Sequence, residues 1–225
     1  MRDFILIILL YFIQLQAQSQ TFEYPNSPKT GKSIRDFIPS NWFLKDSVSG
    51  DLNKDRLKDF VIIIESKDSI DEKRPDSSIN YGSPRVLIIL FEDKITNSLK
   101  LALQHNTFIT RYGEGGMDPD VYGDMSISKN VLQINYQFVR GMANYKIRYQ
   151  LNDFYLIGAY STGVSGGQLD VWDVNLLTQK AKHEWGDISD DKLKTKWIKL
   201  PSLKPKKFAD FTMMYTWKIS NDIIL

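Results

Sequence analysis

The feature of the sequence that most constrains the fold is a two-residue alternation of apolar and polar side chains in its second half. Leu, Ile, Tyr and Phe occupy every second position of 132–138, and Gln and Asn lie between them. Residues 145–151 repeat the pattern with Tyr, Ile and Leu against Lys, Arg and Gln. A period of two puts all the apolar side chains on one face of a β-strand, so these stretches predict strands with one buried face.

Turn-forming dipeptides separate these stretches, which predicts successive antiparallel hairpins. The expected pairs are 125–130 with 131–139, 145–151 with 154–160, and 171–177 with 181–185. The turns are expected at Lys129-Asn130, Asn152-Asp153 and Thr178-Gln179.

The first half contains two continuously apolar runs, 60–64 and 86–91. Strands of this kind are covered on both faces, so we expect them at the centre of a sheet. The polar segment 66–84 between them predicts a long exposed loop. Helical periodicity is limited to 33–37 and 207–211. We therefore expect a mainly β fold whose antiparallel hairpins form a sandwich or a curved, partly closed sheet, with few short helices.

The N-terminal stretch predicts export. It has a charged Arg2, an apolar run at 4–13 and a small residue, Ala17, before polar residues. The run is shorter than the roughly 20 residues that span a bilayer, and the order of features is that of a secretory signal peptide. We expect a signal peptide at 1–18, an extended leader at 19–40 and a single β-rich domain at 41–225. The mature protein would be secreted or periplasmic, with no transmembrane segment.

Composition excludes several function classes. The chain has 29 Lys and Arg against 27 Asp and Glu, a net charge of +2, which gives nucleic-acid binding no support. It has no cysteine, so disulfides, thiolate catalysis and cysteine-based zinc sites are excluded.

The most specific motif lies directly before the apolar run 60–64. Oxygen ligands at alternate positions of a loop can wrap a hard cation. Here the donors are the side chains of Asp51, Asn53, Asp55 and Asp59 and the backbone carbonyl of Leu57. The spacing predicts a calcium site.

Basic residues alternate with these ligands and reduce the expected affinity for calcium. Lys54, Arg56 and Lys58 offset the carboxylate charges, so we expect weak binding, about 10⁻⁴ to 10⁻³ M. Arg56 also occupies a position where the backbone turns sharply and glycine is favoured. The alternative is a metal-free turn in which the Asp side chains accept hydrogen bonds from backbone N–H groups.

The loop 51–59 resembles the calcium loops of FG-GAP-like and VCBS-type bacterial β-repeat proteins, in which an Asp-rich loop enters a strand. The resemblance covers about ten to fifteen residues and implies a structural calcium ion. More broadly, the order of this loop, then 115–120, 145–160 and 175–178, is similar to uncharacterised secreted proteins of Bacteroidota-type bacteria. That likeness covers most of the mature chain and implies no particular biochemistry.

A second acidic segment, 114–124, is rich in glycine and reads most simply as a solvated connection. Its carboxylates suggest an alternative function, a periplasmic glycan hydrolase that uses Asp118, Asp120 and Asp124. Such an enzyme needs a cleft and at least one carboxyl with a raised pKa.

Three other patterns are expected to be structural. Ser165 followed by Asp170 and His183 has the order of a serine hydrolase, but a strand, not a helix, is predicted after the serine. The lysines of 192–207 could meet anionic lipid or polysaccharide, although lysines on an edge strand ordinarily prevent edge pairing. Tryptophans could stack on sugars, although aromatic residues at strand spacing are usually core.

The sequence thus predicts a secreted or periplasmic, non-enzymatic β protein with one structural calcium loop. It would present surfaces to a partner, an unknown protein or polysaccharide of the cell envelope. Glycan hydrolysis is the alternative.

Overall fold

The alternating second half of the chain forms one continuous antiparallel sheet. A computed structural model describes residues 22–73, 79–114, 117 and 120–225; the predicted signal peptide lies outside this range. Seven strands follow one another in the sheet in chain order, each paired with the next. They are β8 (Tyr122–Ser128), β9 (Val131–Phe138), β10 (Gly141–Gln150), β11 (Asp153–Ser165), β12 (Gln168–Asn175), β13 (Lys180–Asp187) and β14 (Lys194–Lys199).

The first half forms a five-stranded antiparallel sheet with the order β1-β7-β6-β3-β2. Its strands are β1 (Thr30–Gly31), β2 (Trp42–Gly50), β3 (Asp59–Ser66), β6 (Arg85–Asp93) and β7 (Ser98–His105). The two continuously apolar runs are β3 and β6, and both are internal strands, as predicted. The two short helices are 3-10 turns, Ile34–Phe37 and Phe208–Asp210.

The polar segment between β3 and β6 is not wholly a loop. It contains a two-stranded sheet of β4 (Ile70–Lys73) and β5 (Ile79–Gly82). These strands pair only with each other among the described residues. Ile79 and Tyr81 of β5 are exposed, so β5 contributes no apolar side chain to the core.

The five-stranded sheet is covered on both faces at its central strands, β3 and β6. One face packs against the inner face of the seven-stranded sheet, and Val61, Ile63 and Leu87 join Ile134 and Tyr145 in this main core. The structure is therefore a mainly β sandwich, as expected. The opposite face, which includes Ile62 and Ile64, is covered by the N-terminal residues Phe22, Phe37 and Trp42.

The antiparallel strand order places five connections and one further segment at one end of the sandwich, which we call the turn end. The β2–β3 loop meets the β8–β9 turn where Asn130 donates to the Asp51 carbonyl at 2.6 Å. The Lys58 N–H donates to Glu92 beside the β6–β7 turn, and Leu200 N–H donates to the Gln179 carbonyl. The turn end comprises residues 51–58, 94–97, 129–130, 151–152, 176–179 and 200–207.

The opposite end carries the β9–β10, β11–β12 and β13–β14 connections and the β4–β5 hairpin. We call it the groove end, after the groove described below. The C-terminal segment, including Phe211, Ile219 and Leu225, packs on the inner face of the seven-stranded sheet. Within the described part of the chain, no helix is long and apolar enough to cross a membrane.

Candidate functional site

The predicted calcium loop forms the β2–β3 connection and is tightly wound. The carboxylate of Asp51 accepts hydrogen bonds from the N–H groups of Lys54 at 2.6 Å and Arg56 at 3.2 Å. Lys54 and Arg56 adopt left-handed backbone conformations, with φ of 69° and 68°. The loop therefore accepts at Arg56 the strain that a glycine would avoid.

The other predicted ligands also bond within this loop. Asp55 accepts the side-chain N–H of Asn53 at 2.8 Å and the Leu57 N–H at 2.7 Å. Asp59 is fully buried and accepts the Leu52 N–H at 2.7 Å. Burial, together with the nearby charge of Asp55, raises the pKa of Asp59 to about 6 although three backbone N–H groups lower it.

The donor set is all oxygen, which suits a hard cation such as calcium. Each carboxylate is at the same time engaged by N–H groups, which is the arrangement expected of a metal-free turn. Among the described residues, no group of three or more His, Cys, Asp or Glu side chains is arranged to hold a metal ion. The structure brings Asn53, Asp55 and Leu57 into direct contact, and Asp59 accepts the Asn53 N–H at 3.3 Å. The Asp51 carboxylate accepts the backbone N–H groups of Lys54 and Arg56.

The carboxylates of the hydrolase alternative do not share a cleft in the described residues. Asp120 pairs with the fully buried Arg85 through two hydrogen bonds of 2.7 Å. Burial would raise the pKa of Asp120, but the bonds and charges of Arg85 and Lys45 outweigh it, and the pKa lies below its ordinary value. A carboxylate held ionised in this way is unsuited to act as a general acid.

Of the other two carboxylates, only Asp124 lies within the described residues. Asp124 accepts a hydrogen bond from Asn135 on the next strand, and Asp118 lies outside the described residues. Arg85 also donates to Glu65 at 2.6 Å and to the Thr110 carbonyl at 2.7 Å. The acidic segment thus supplies one partner of a buried ionic cluster that ties β3, β6 and the start of β8 together.

A different site is formed on the inner face of the seven-stranded sheet at the groove end. Val174 on β12 is buried in the core, so Trp172 and Asp170, two and four residues before it, project from the same face. Across the β12–β13 ladder Trp172 is opposite His183, and Asp170 is opposite Trp185. The four side chains therefore form one cluster, which we call the aromatic cluster.

The rings of the aromatic cluster are stacked and fixed by one carboxylate. The His183 ring lies 4.0 Å from that of Trp172 at 10° and 4.6 Å from that of Trp185 at 22°. Asp170 accepts the Trp172 indole N–H at 2.7 Å and lies 2.6 Å from His183 Nε2. Because both donors meet one carboxylate, the rings are held in place before any ligand arrives.

Two adjoining cavities flank the aromatic cluster and together form the groove. A cavity of about 420 Å³ is lined by Arg140, Ser165, Gln168 and Asp170, among others. A second, of about 260 Å³, lies between Trp172 and the C-terminal segment. Ser161 and Tyr215 line both cavities. The groove thus combines aromatic surfaces with a guanidinium, a carboxylate, an amide and hydroxyl groups.

The serine-hydrolase pattern does not assemble. Ser165 is opposite Gln168, and Gln168 is opposite Asp187, four residues along β13 from His183. At about 3.4 Å per residue, and with two strand spacings in between, Ser165 is far beyond hydrogen-bonding distance of His183. The hairpin tip expected at 161–163 is wrong: these residues lie within β11, and Ser165 precedes the turn formed by Gly166 and Gly167.

The sequence interpretation assigned the tryptophans to the core and missed the groove. The available signal was the placement of Gln168, Asp170 and Trp172 on one face of a strand that continues from buried Val174. Polar residues on a core-facing side indicate that the partner sheet does not extend that far. Comparison of the chain with protein-family models, curated sequences and solved structures gives no significant match.

Proposed function

We propose that this protein is a non-enzymatic binding protein whose groove binds a neutral oligosaccharide segment of an envelope polysaccharide. The observation that carries the proposal is the aromatic cluster, in which Asp170 fixes Trp172 and His183 beside an open groove. The predicted export of the chain agrees with such a partner, and secretion remains part of the proposal.

The chemistry of the groove suits a sugar. Pyranose rings present C–H faces to indole and phenol rings, and their hydroxyls need fixed donors and acceptors. Trp172 and Tyr215 supply the ring surfaces, and Arg140, Gln168 and Asp170 supply donors and acceptors. The presence of both a guanidinium and a carboxylate favours a neutral ligand over a strongly charged one.

The test is titration of the purified protein with neutral cello-, xylo- and N-acetylchito-oligosaccharides, followed by calorimetry and tryptophan fluorescence. We expect binding by at least one class and a loss of about tenfold or more in affinity for Trp172→Ala. Trp197→Ala is the matched control, because Trp197 is 67% exposed on β14, outside the groove lining. No binding to any class, or equal loss in both variants, would contradict the proposal.

Calcium is the second part of the proposal. Asp51, Asn53, Asp55, the Leu57 carbonyl and Asp59 would hold the ion, which would neutralise the carboxylates and rigidify the β2–β3 loop. The supporting observation is an all-oxygen donor set on a loop already wound by left-handed residues at Lys54 and Arg56. Binding would be weak, because basic residues alternate with the ligands.

Thermal melting in millimolar calcium and in chelator tests this part. We expect calcium to raise the melting temperature of the wild type and to have less effect on Asp55→Asn, which keeps an oxygen to accept the Leu57 N–H. Asp191→Asn, an exposed change in the β13–β14 connection, should respond like the wild type. A melting temperature independent of calcium would leave the metal-free turn as the correct description of the loop.

A further inference from the structure

Three aliphatic side chains project into solvent from separate turns at the turn end. Ile95, Leu151 and Leu177 are 97%, 80% and 50% exposed. The turns do not need them: the Asp93 carboxylate accepts the Ile95 N–H at 2.8 Å, and the Asn175 side chain accepts the Leu177 N–H at 3.0 Å. Exposed large apolar residues at one end of a fold indicate a surface that contacts something else.

Leu151 carries a conformational cost as well. It occupies the first position of the two-residue β10–β11 turn with φ of 51°, and Asn152 follows with φ of 59°. Such turns favour Asn, Asp or Gly, because a bulky side chain clashes with the backbone in the left-handed region. The chain thus keeps a leucine where both backbone conformation and solvent exposure disfavour it.

Basic side chains are frequent at the same end of the fold. The exposed cations of the turn end and of the strand residues that adjoin it are Lys54, Arg56, Lys58, Lys94, Lys129, Lys180, Lys199, Lys204 and Lys207. Acidic side chains are fewer among the described residues of this end, and several are engaged: Asp93 with Lys100, and Asp153 with Lys207 at 2.7 Å. Asp51 and Asp55 accept N–H groups within their own loop.

Two of the lysines repel each other. Lys180 at the start of β13 is directly opposite Lys199 at the end of β14. Like charges at facing positions destabilise an antiparallel pair. Defence of an edge strand requires only lysines on that strand, so it does not account for a second lysine on its neighbour.

We propose that the turn end docks onto the surface of a bilayer that contains anionic lipid. The lysines would contact headgroup phosphates, and Ile95, Leu151 and Leu177 would enter the boundary between headgroups and acyl chains. The exposed aliphatic side chains favour lipid over an anionic polysaccharide as the partner, because a polysaccharide has no apolar phase in which they could be buried. Docking in this orientation would leave the groove at the opposite end facing away from the membrane.

The test is flotation of the purified protein with phosphatidylcholine vesicles, with and without phosphatidylglycerol, in the presence of a chelator. We expect binding only to the anionic vesicles, weakened by salt. Leu151→Asn and Lys180→Glu should each weaken it about fivefold or more. Both variants should also melt at higher temperature than the wild type, because one relieves backbone strain and the other replaces a repulsive pair with an attractive one.

Matched controls lie at the groove end. Ile188→Asn removes an aliphatic residue that is 62% exposed, and Lys192→Glu makes the same change in net charge as Lys180→Glu. Both should bind vesicles like the wild type. Failure to bind anionic vesicles, or equal weakening in the control variants, would overturn the proposal. So would tight binding to a soluble anionic polysaccharide that Leu151→Asn leaves unchanged. The proposal is independent of oligosaccharide binding in the groove, so either can fail alone.

Discussion

The two ends of the sandwich differ in which residues adopt positive φ in their turns. At and near the groove end the residues with positive φ in the turns are Gly113, Gly166 and Gly167. At the turn end they are larger residues, among them Arg56, Leu151 and Gln179. Tyr215, in the C-terminal segment, is the one non-glycine with positive φ away from the turn end in the described chain. The turn end therefore keeps large side chains on backbone conformations that strain them, whereas glycines avoid this strain at the groove end.

The ends also differ in how they use charge. At the groove end Arg85 is fully buried and bonded to Asp120, Glu65 and the Thr110 carbonyl. At the turn end Arg56 is exposed, and its charge is available to a partner. Breaking a buried ion pair destabilises the fold, whereas an exposed charge attracts partners of opposite charge to the surface.

The largest expected effect is a difference in the free energy of unfolding between variants of these two arginines. Arg85→Met would leave Asp120 and Glu65 without their main partner in a poorly solvated place, and should lower the free energy of unfolding by about 3–5 kcal/mol. Arg56→Met at the turn end should change it by less than about 0.5 kcal/mol. Urea denaturation measures both values. Similar losses in the two variants would remove the distinction between the two ends.

Smaller changes in stability, of opposite sign in two variants, are expected at the turns. Gly166→Ala should destabilise by about 1 kcal/mol because of its φ of 56° alone, since an added Cβ would meet no atom within 4 Å. Leu151→Asn should instead stabilise by roughly 0.5–1 kcal/mol, because asparagine tolerates the left-handed region. Thermal melting of the two variants compares them. Loss of stability in both would show that Leu151 has a packing role.

The smallest effect concerns pH and His105, a buried histidine near the groove end. His105 is buried, and its Nε2–H donates to the carbonyls of Phe208 and Phe211 at 3.1 and 2.9 Å. Its Nδ1 accepts N–H groups of Thr107 and Phe108, so the neutral ring satisfies every partner. Burial lowers the pKa of His105, against the two carbonyl bonds.

The direction of the pH dependence of stability follows from the difference in proton uptake between the folded and unfolded states. Because the folded pKa of His105 lies below its unfolded value of about 6.5, stability is present above that pH and falls as pH drops below it. Asp59, with its raised pKa, contributes with the opposite sign in the same range. Urea midpoints of wild type and His105→Gln at about pH 7.5 and 5.5 isolate the histidine. A slope in His105→Gln equal to that of the wild type would contradict the assignment.

Much of the fold could be predicted because strand periodicity is a local property of the sequence. The hairpins β8–β9, β10–β11 and β12–β13 and the central strands β3 and β6 were all predicted. One turn is displaced by a residue: the expected Asn152-Asp153 is Leu151-Asn152. Turn chemistry argues against leucine at positive φ, so the sequence rules gave no reason to place it there.

The sites were less predictable. The ligands of the Asp-rich loop are close in sequence, so their position at one turn was predicted, and calcium binding there stays a prediction. The aromatic cluster depends on the registers of β12 with β13 and on where the five-stranded sheet stops, and neither is a local property. Arg85 and Asp120 are separated by 35 residues, and only their strands bring them together.

The sequence by itself determined which residues form strands and which face of each strand is apolar, because a period of two is a property of consecutive residues. Tertiary structure decided which parts of an inner face are covered and which remain open at the groove. It also decided that aliphatic and basic residues from separate turns meet at one end, since strand direction and register, not sequence distance, bring turns together in an antiparallel sandwich.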